Sequence, residues 1–220
     1  MKKRIILSLI ISWLLSLSVQ AQFFARMSMM TPHYYPGEVY FKDGHQETYA
    51  EVELPRVGKS ALSVRKNADD KKRTDIEAID IVGIKFRHKD FPDSTHMLYY
   101  VHAKTALMQN EHQWGFPIID NAWGTLFQCE QYYEIDDDGE MNCVKLVGGS
   151  YPDTPTLFYL KRPEWDEAQM IIFGGDFALK KKVAKFFQEN AQIAKGIKSG
   201  KLKPSDIRYI MDVMAEGKTE

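Results

Sequence analysis

The spacing of apolar residues changes once along this chain, at Gly174-Gly175-Asp176, and the change divides it into two kinds of structure. Upstream the spacing is two. Val39 and Phe41 share one side, Ala50, Val52 and Leu54 another with Glu51 and Glu53 opposite, and Val82, Ile84 and Phe86 a third with Lys85 and Arg87 opposite. Alternation of this kind marks strands with one buried and one wet face. Downstream the spacing is near 3.6. Leu179, Val183, Phe186 and Phe187 form one stripe, Ile193, Ala194 and Ile197 a second, and Ile207, Ile210, Met211 and Met214 a third. Strands followed by helices predict an α+β fold. An antiparallel β region over residues 22–174, built of hairpins and either barrel-like or a sandwich, is followed by two to three C-terminal helices over residues 175–217 packed on it.

Turn chemistry sets the expected joints. A hairpin turns at Lys42-Asp43-Gly44, where glycine supplies left-handed backbone. Residues 61–66, a polar turn at 67–73 and residues 76–88 form a second pair. Residues 96–104, apolar on both faces, read as a central strand. Residues 110–124, punctuated by Gly115, Pro117 and Gly124, read as a loop. If Asp137, Asp138 and Gly139 form a three-residue turn, Asp136 faces Glu140 and Tyr133 faces Cys143. Asp176 is the expected N-cap of the first helix, Gly200 stops the second, and Pro204-Ser205-Asp206 opens the third.

Residues 1–21 carry an address. Lys2, Lys3 and Arg4 precede a thirteen-residue apolar run, 5–17, and Val19-Gln20-Ala21 offers small residues to a signal peptidase. The run is shorter than the roughly 20 residues that span a bilayer. A cleaved signal peptide is expected, with a soluble product that is periplasmic or extracellular and has no transmembrane segment. The two cysteines, Cys129 and Cys143, are far from the cleavage point, so the product is not a lipoprotein. Of 29 basic residues three leave with the leader, and 26 remain against 30 acidic ones. A net charge of −4 argues against a nucleic-acid partner. Export favours a disulfide between Cys129 and Cys143. The hairpin register opposes it, because Cys129 then faces Val147, about 13 Å along the ladder from Cys143 at ~3.3 Å per residue. A bridge and two buried thiols both remain open.

Two segments carry a resemblance. The opening Gly37-Glu38-Val39-Tyr40-Phe41-Lys42-Asp43-Gly44 matches a G-x-V-x-L/F-x-D/N-G pattern, and residues 186–212 run from a helix through a Gly-Lys turn into a final D-I-x-x-I helix. In both, the chain resembles a group of exported Bacteroidetes proteins of unknown function. It departs from their tail in lacking a Cys near Asn190. The resemblance implies export and the strand-then-helix layout, and it implies no activity.

Signatures of catalysis are sparse. Gly148-Gly149-Ser150-Tyr151 lacks the second glycine of a nucleophile elbow and reads as a turn. The Asp136–Gly139 loop, aligned on an EF-hand glycine, places Lys145 where a bidentate carboxylate is required, so a solvated turn is the better account. His96 and His102 share a strand face but are about 20 Å apart at ~3.3 Å per residue. Met27, Met29, Met30 and His33 could ligate Cu(I), though packing is the plainer role. Trp114, Trp123 and Trp165 could stack on carbohydrate, though such aromatics usually fill cores.

One polar feature stands out. Residues 178–203 hold eight lysines, at 180, 181, 182, 185, 195, 198, 201 and 203, against Glu189 alone. Lys180, Lys181, Lys182 and Lys185 are therefore the candidate binding residues, for an anionic envelope surface or an envelope protein. The expectation is a non-catalytic exported binding protein without cofactor or metal. A hydrolase with a dispersed site around Ser150 or residues 114–123, and a carbohydrate or small-ligand binder, are the alternatives.

Overall fold

Strands with one apolar face must pair at their edges and cover that face, and here they do so within one large sheet. The computed structural model describes residues 32–56, 59–104, 112–129, 132–144, 157–173 and 175–217. The leader at 1–21, Met27, Met29, Met30 and Ser150 with its glycines lie outside the described residues. All strands and helices described below belong to one unit, Tyr34–Glu220; of the preceding unit, Met1–His33, only Pro32 and His33 are described.

The strands are β1 (Tyr34–Phe41), β2 (Gln46–Glu53), β3 (Ala61–Arg65), β4 (Thr74–Glu77), β5 (Ile81–Arg87), β6 (Thr95–Lys104), β7 (His112–Asn121), β8 (Gly124–Cys129), β9 (Tyr132–Ile135), β10 (Met141–Val144), β11 (Leu157–Lys161), β12 (Ala168–Phe173) and β13 (Asp176–Phe177). Three helices follow: α1 (Lys180–Phe186), α2 (Ala191–Ser199) and α3 (Ile207–Glu216). The α+β layout read from the sequence is the one observed. Eleven strands run in the order β13-β12-β11-β8-β7-β6-β5-β1-β2-β3-β4, and β9 with β10 forms a separate hairpin. β12 also pairs with β6, Ala168 opposite Ala103 and Gln169 opposite Lys104. Strands β6, β7, β8, β11 and β12 thereby close into a five-membered ring. Antiparallel pairing reverses direction at each step, so a closed ring of five needs one parallel pair, and β6–β12 is that pair.

Each cluster of buried side chains follows from this closure. Inside the ring lie Val101, Ala103, Phe127, Cys129, Tyr159 and Ala168. On its outer side Trp123, Leu126, Leu160, Ile171 and Ile172 meet Val183, Phe187, Ile193, Ile197, Ile210, Met211 and Met214 of the helical region. The open half of the sheet buries Val39, Val52, Ile84, Phe86 and Leu98 with Trp114, under Tyr133, Ile135 and Met141 of the β9–β10 hairpin.

Several local expectations change. Residues 112–121 form a ten-residue strand rather than a loop. Gly115 is required there because a Cβ would meet Phe127 Cβ at 3.0 Å and Cys129 Sγ at 3.2 Å, and Pro117 sits beside a register shift, where a missing N–H is tolerated. The segment 76–88 is broken by a 3₁₀ turn at Ala78–Asp80, so β3 pairs with β4 while β5 pairs with β1 and β6. Val82 is 42% exposed although Ile84 and Phe86 are fully buried, because Tyr40 pairs with Gly83 and Phe41 with Ile81, which leaves Val82 as the bulged residue. Glu53 was expected on a wet face but is 2% exposed, ion-paired with Lys59.

Asp176 is not a helix cap. Gly175 (φ +90°) turns the chain so that Asp176 pairs with Phe173 in β13. The helix instead starts after Leu179, which takes left-handed backbone (φ 51°) and is 69% exposed, so it leaves the predicted packing stripe. Gly200 ends α2 as expected, with φ +76°. Asn190 caps that helix, its Oδ1 accepting from the Gln192 and Ile193 amides at 3.1 Å.

Candidate functional site

Where β11 ends, the chain turns through residues 162–166 before entering β12, and the turn is built around a buried cation. Arg162 is 6% exposed. Its guanidinium lies 4.8 Å from the ring centre of Trp123 and 5.5 Å from that of Trp165. Nη1 donates to Glu189 Oε1 at 2.8 Å and Nη2 pairs with Glu164, while Nε is buried without an acceptor. Trp123, on the turn opening β8, donates from Nε1 to Glu189 Oε2 at 3.3 Å and stacks on Phe187 at 4.8 Å. Asn121 holds that turn by accepting from the Trp123 and Gly124 amides, and Gly124 is obligatory because a Cβ would lie 2.8 Å from Lys161 O. A planar, permanently charged guanidinium between two indoles and two carboxylates ties the strand ends to the helical region.

Beside this clamp opens a cleft of about 440 Å³, lined by Arg162, Trp165, Gln169, Lys185, Phe186, Gln188 and Glu189. Trp165 and Phe186 meet at 5.2 Å with their planes 60° apart, and both are partly exposed. At the other end of α1 a smaller cleft of about 240 Å³ is bordered by Asp176, Lys180, Lys203 and Ser205. Between the clefts α1 presents its lysines. Lys180, Lys181, Lys182 and Lys185 are all exposed, as are Lys195, Lys198, Lys201 and Lys203. Among the described residues none of these eight ammonium groups is within ion-pair distance of a carboxylate. Glu189, the one acidic residue in that stretch, is engaged by Arg162. Sequence reasoning found the lysines by composition. It missed the Arg162 clamp and the cleft, because their parts come from β8, β11, β12 and the helical region, and only packing unites them.

Other candidates are placed as follows. Cys129 lies inside the ring on β8, opposite Leu157, whereas Cys143 pairs with Tyr133 on β10 as the turn geometry predicted. The two cysteines belong to different sheets, and no disulfide joins them. Asp136 closes the acidic turn: its Oδ1 accepts from the Glu140 amide at 2.9 Å and the Asp138 amide at 3.0 Å, and Oδ2 accepts from Asn142. The Glu140 amide first, with Asn142 and the Asp138 amide, holds this carboxyl below its ordinary range despite some desolvation. Gly139 supplies the left-handed position at φ +81°, and its carbonyl meets Ser94 Oγ and, at 2.6 Å, His96 Nε2. Trp114 and Trp123 are buried; of the three tryptophans only Trp165 reaches the surface.

The structure also joins two histidines that the sequence left apart. His102 on β6 faces His112 on β7, their rings stacked at 4.6 Å, and His102 Nε2 is 3.6 Å from Glu167 Oε1. Among the described residues no group of three His, Cys, Asp or Glu side chains has the geometry to hold a metal ion. No described helix is long and apolar enough to cross a membrane. Comparison of the chain with protein-family models, with curated proteins and with solved structures finds no match.

Proposed function

We propose that this chain is an exported, non-catalytic protein that binds an anionic component of the cell envelope through the lysine face of α1, α2 and the segment after them. The observation that carries this reading is the density of exposed lysines. Eight lie between residues 178 and 203 against Glu189 alone, and among the described residues none of the eight has a carboxylate partner. Elsewhere among the described residues Lys59, Lys66, Arg65, Arg73, Arg87 and Arg162 are paired, and cations without a carboxylate, such as Lys42 and Lys85, are interspersed with acidic residues. Exposed like charges repel and gain from an opposing anionic surface, at about 1 kcal/mol per basic residue near it. The helices beneath are held independently of those charges, since Val183, Phe187, Ile193 and Ile197 are buried and Arg208 Nη2 donates to Ile118 O at 3.1 Å. Export is supported by the charged, apolar and small-residue succession in residues 1–21.

The test is a variant with Lys180, Lys181, Lys182 and Lys185 all replaced by Gln. It should fold normally and lose most of its salt-sensitive co-sedimentation with envelope fragments. Undiminished co-sedimentation at low salt would remove the lysine face from consideration. Export is tested separately: the N-terminus of the protein recovered outside the cytoplasm should be Gln22.

A further inference from the structure

We propose that the anionic component is an acidic polysaccharide and that one of its rings seats in the cleft, against the surface that Trp165 and Phe186 form together. This rests on the lysine face meeting an anion, and adds what kind of anion it is.

The lining carries the argument. Trp165 and Phe186 supply partly exposed aromatic surface, which suits the apolar C–H face of a pyranose ring. Gln169 and Gln188 each offer a donor and an acceptor, the pairing that ring hydroxyls need. Within the lining Arg162 and Glu189 answer each other, and Glu164, the second carboxylate on Arg162, lies outside the lining. Lys185 is the lining's other cation and has no carboxylate partner among the described residues, which suits one carboxylate per ring. The volume of about 440 Å³ lies in the range of small-ligand sites, ~300–1,000 Å³.

The surroundings disfavour other anions. A peptide bound as an added strand needs a free sheet edge, but beside the cleft β12 is paired with β11, β13 and β6. A helix lying on a bilayer inserts an apolar face, yet Val183 and Phe187 are buried in the core. Lys185 belongs both to the cleft and to the lysine row of α1, which runs about 10 Å, at ~1.5 Å per residue, towards the second cleft with Lys180 and Lys203. A polymer charged on every ring spans that row, and a single sugar does not.

The experiment titrates the full mature protein with hexagalacturonate, with a neutral hexasaccharide, and with polyglutamate of matched charge, following tryptophan fluorescence and heat. Hexagalacturonate should bind and perturb the fluorescence. Trp165→Ala and the exposed Gln188→Ala should each weaken it by about tenfold or more. Combined Lys180→Gln, Lys181→Gln and Lys182→Gln should instead flatten its salt dependence. Equal binding of polyglutamate, insensitive to Trp165→Ala and Gln188→Ala, would overturn the ring-seating proposal and leave the lysine reading intact. Equal, Trp165-dependent binding of the neutral sugar would overturn the acidic assignment. Absence of binding by every anion would remove both readings.

Discussion

Arg162 shows how much one residue can organise when its charge is almost wholly enclosed. It is the shared partner of Glu164, Glu189, Trp123 and Trp165. Arg162→Ala would empty the space between the indoles and release Glu189 from the turn. Both carboxylates are about half exposed, so their pairing is discounted for solvent, and a loss of about 2 kcal/mol in urea unfolding is expected. Tyr159 predicts the opposite sign. Its hydroxyl is buried inside the ring with no partner, and burial first, with the nearby Cys129 adding to it, pushes its ionisation upward. Tyr159→Phe removes an unsatisfied donor at little cost in shape, so thermal unfolding should show stability unchanged or raised by up to about 1 kcal/mol. Neither residue announces its role in the sequence: Arg162 lies in a run of ordinary turn residues, and Tyr159 is one of eleven tyrosines.

At the scale of elements, the entry to α1 shows a conflict between local preference and required geometry. Leu179 holds left-handed backbone while exposing most of its side chain, and its carbonyl accepts from the Lys182 amide at 2.7 Å. Leu179→Gly relieves that backbone without uncovering any core, and a gain of about 1 kcal/mol in denaturant unfolding is expected. Val183→Ala, one turn on and fully buried, should cost about 1–3 kcal/mol by the same measurement. The contrast separates the two sides of a short helix, one held by packing and the other free to meet a partner. The expected hairpins at Lys42–Gly44 and Asp137–Gly139 both formed, the second in its predicted register, because each is fixed by a glycine in a three-residue turn. The register of β7 against β8 was not legible. It depends on the β-bulge at Pro117 and on a Gly115 whose reason is the side chains of Phe127 and Cys129 on the neighbouring strand.

For the molecule as a whole, closure of the ring is the decisive long-range event, and two small residues permit it. Ala103 and Ala168 face each other at the β6–β12 seam, both essentially unexposed. Ala168→Leu should overpack that seam and lower stability by about 1–3 kcal/mol, with hydrogen exchange quickening first in β12. Tyrosines spread over the fold predict its alkaline limit. Burial is the foremost cause that raises the ionisation of Tyr35, Tyr49, Tyr99, Tyr100 and Tyr159. A phenol whose folded-state pKa is raised contributes stability that is complete below the unfolded value, near 10, and is lost as pH climbs through the folded value. Unfolding free energy should therefore hold up to about pH 10 and fall beyond it, with phenolate absorbance appearing together with loss of structure.

The sequence alone determined what is local: a β region followed by helices, the two glycine-turn hairpins and the register of the second, the stop at Gly200, and the crowd of lysines between 178 and 203. These depend on side-chain period, on glycine's access to positive φ, and on charge counted along the chain, none of which needs a partner from afar. Tertiary structure decided that β6 meets β12, that Val82 bulges outward, that Asp176 serves a strand rather than a helix, and that Arg162, Trp165 and Lys185 border one cleft. Those outcomes depend on which surfaces are left to pack once the sheet has curled. A contact between residues 103 and 168 has no local trace in the chain, because the free energy that selects it arises from apolar surface contributed by many separate segments at once.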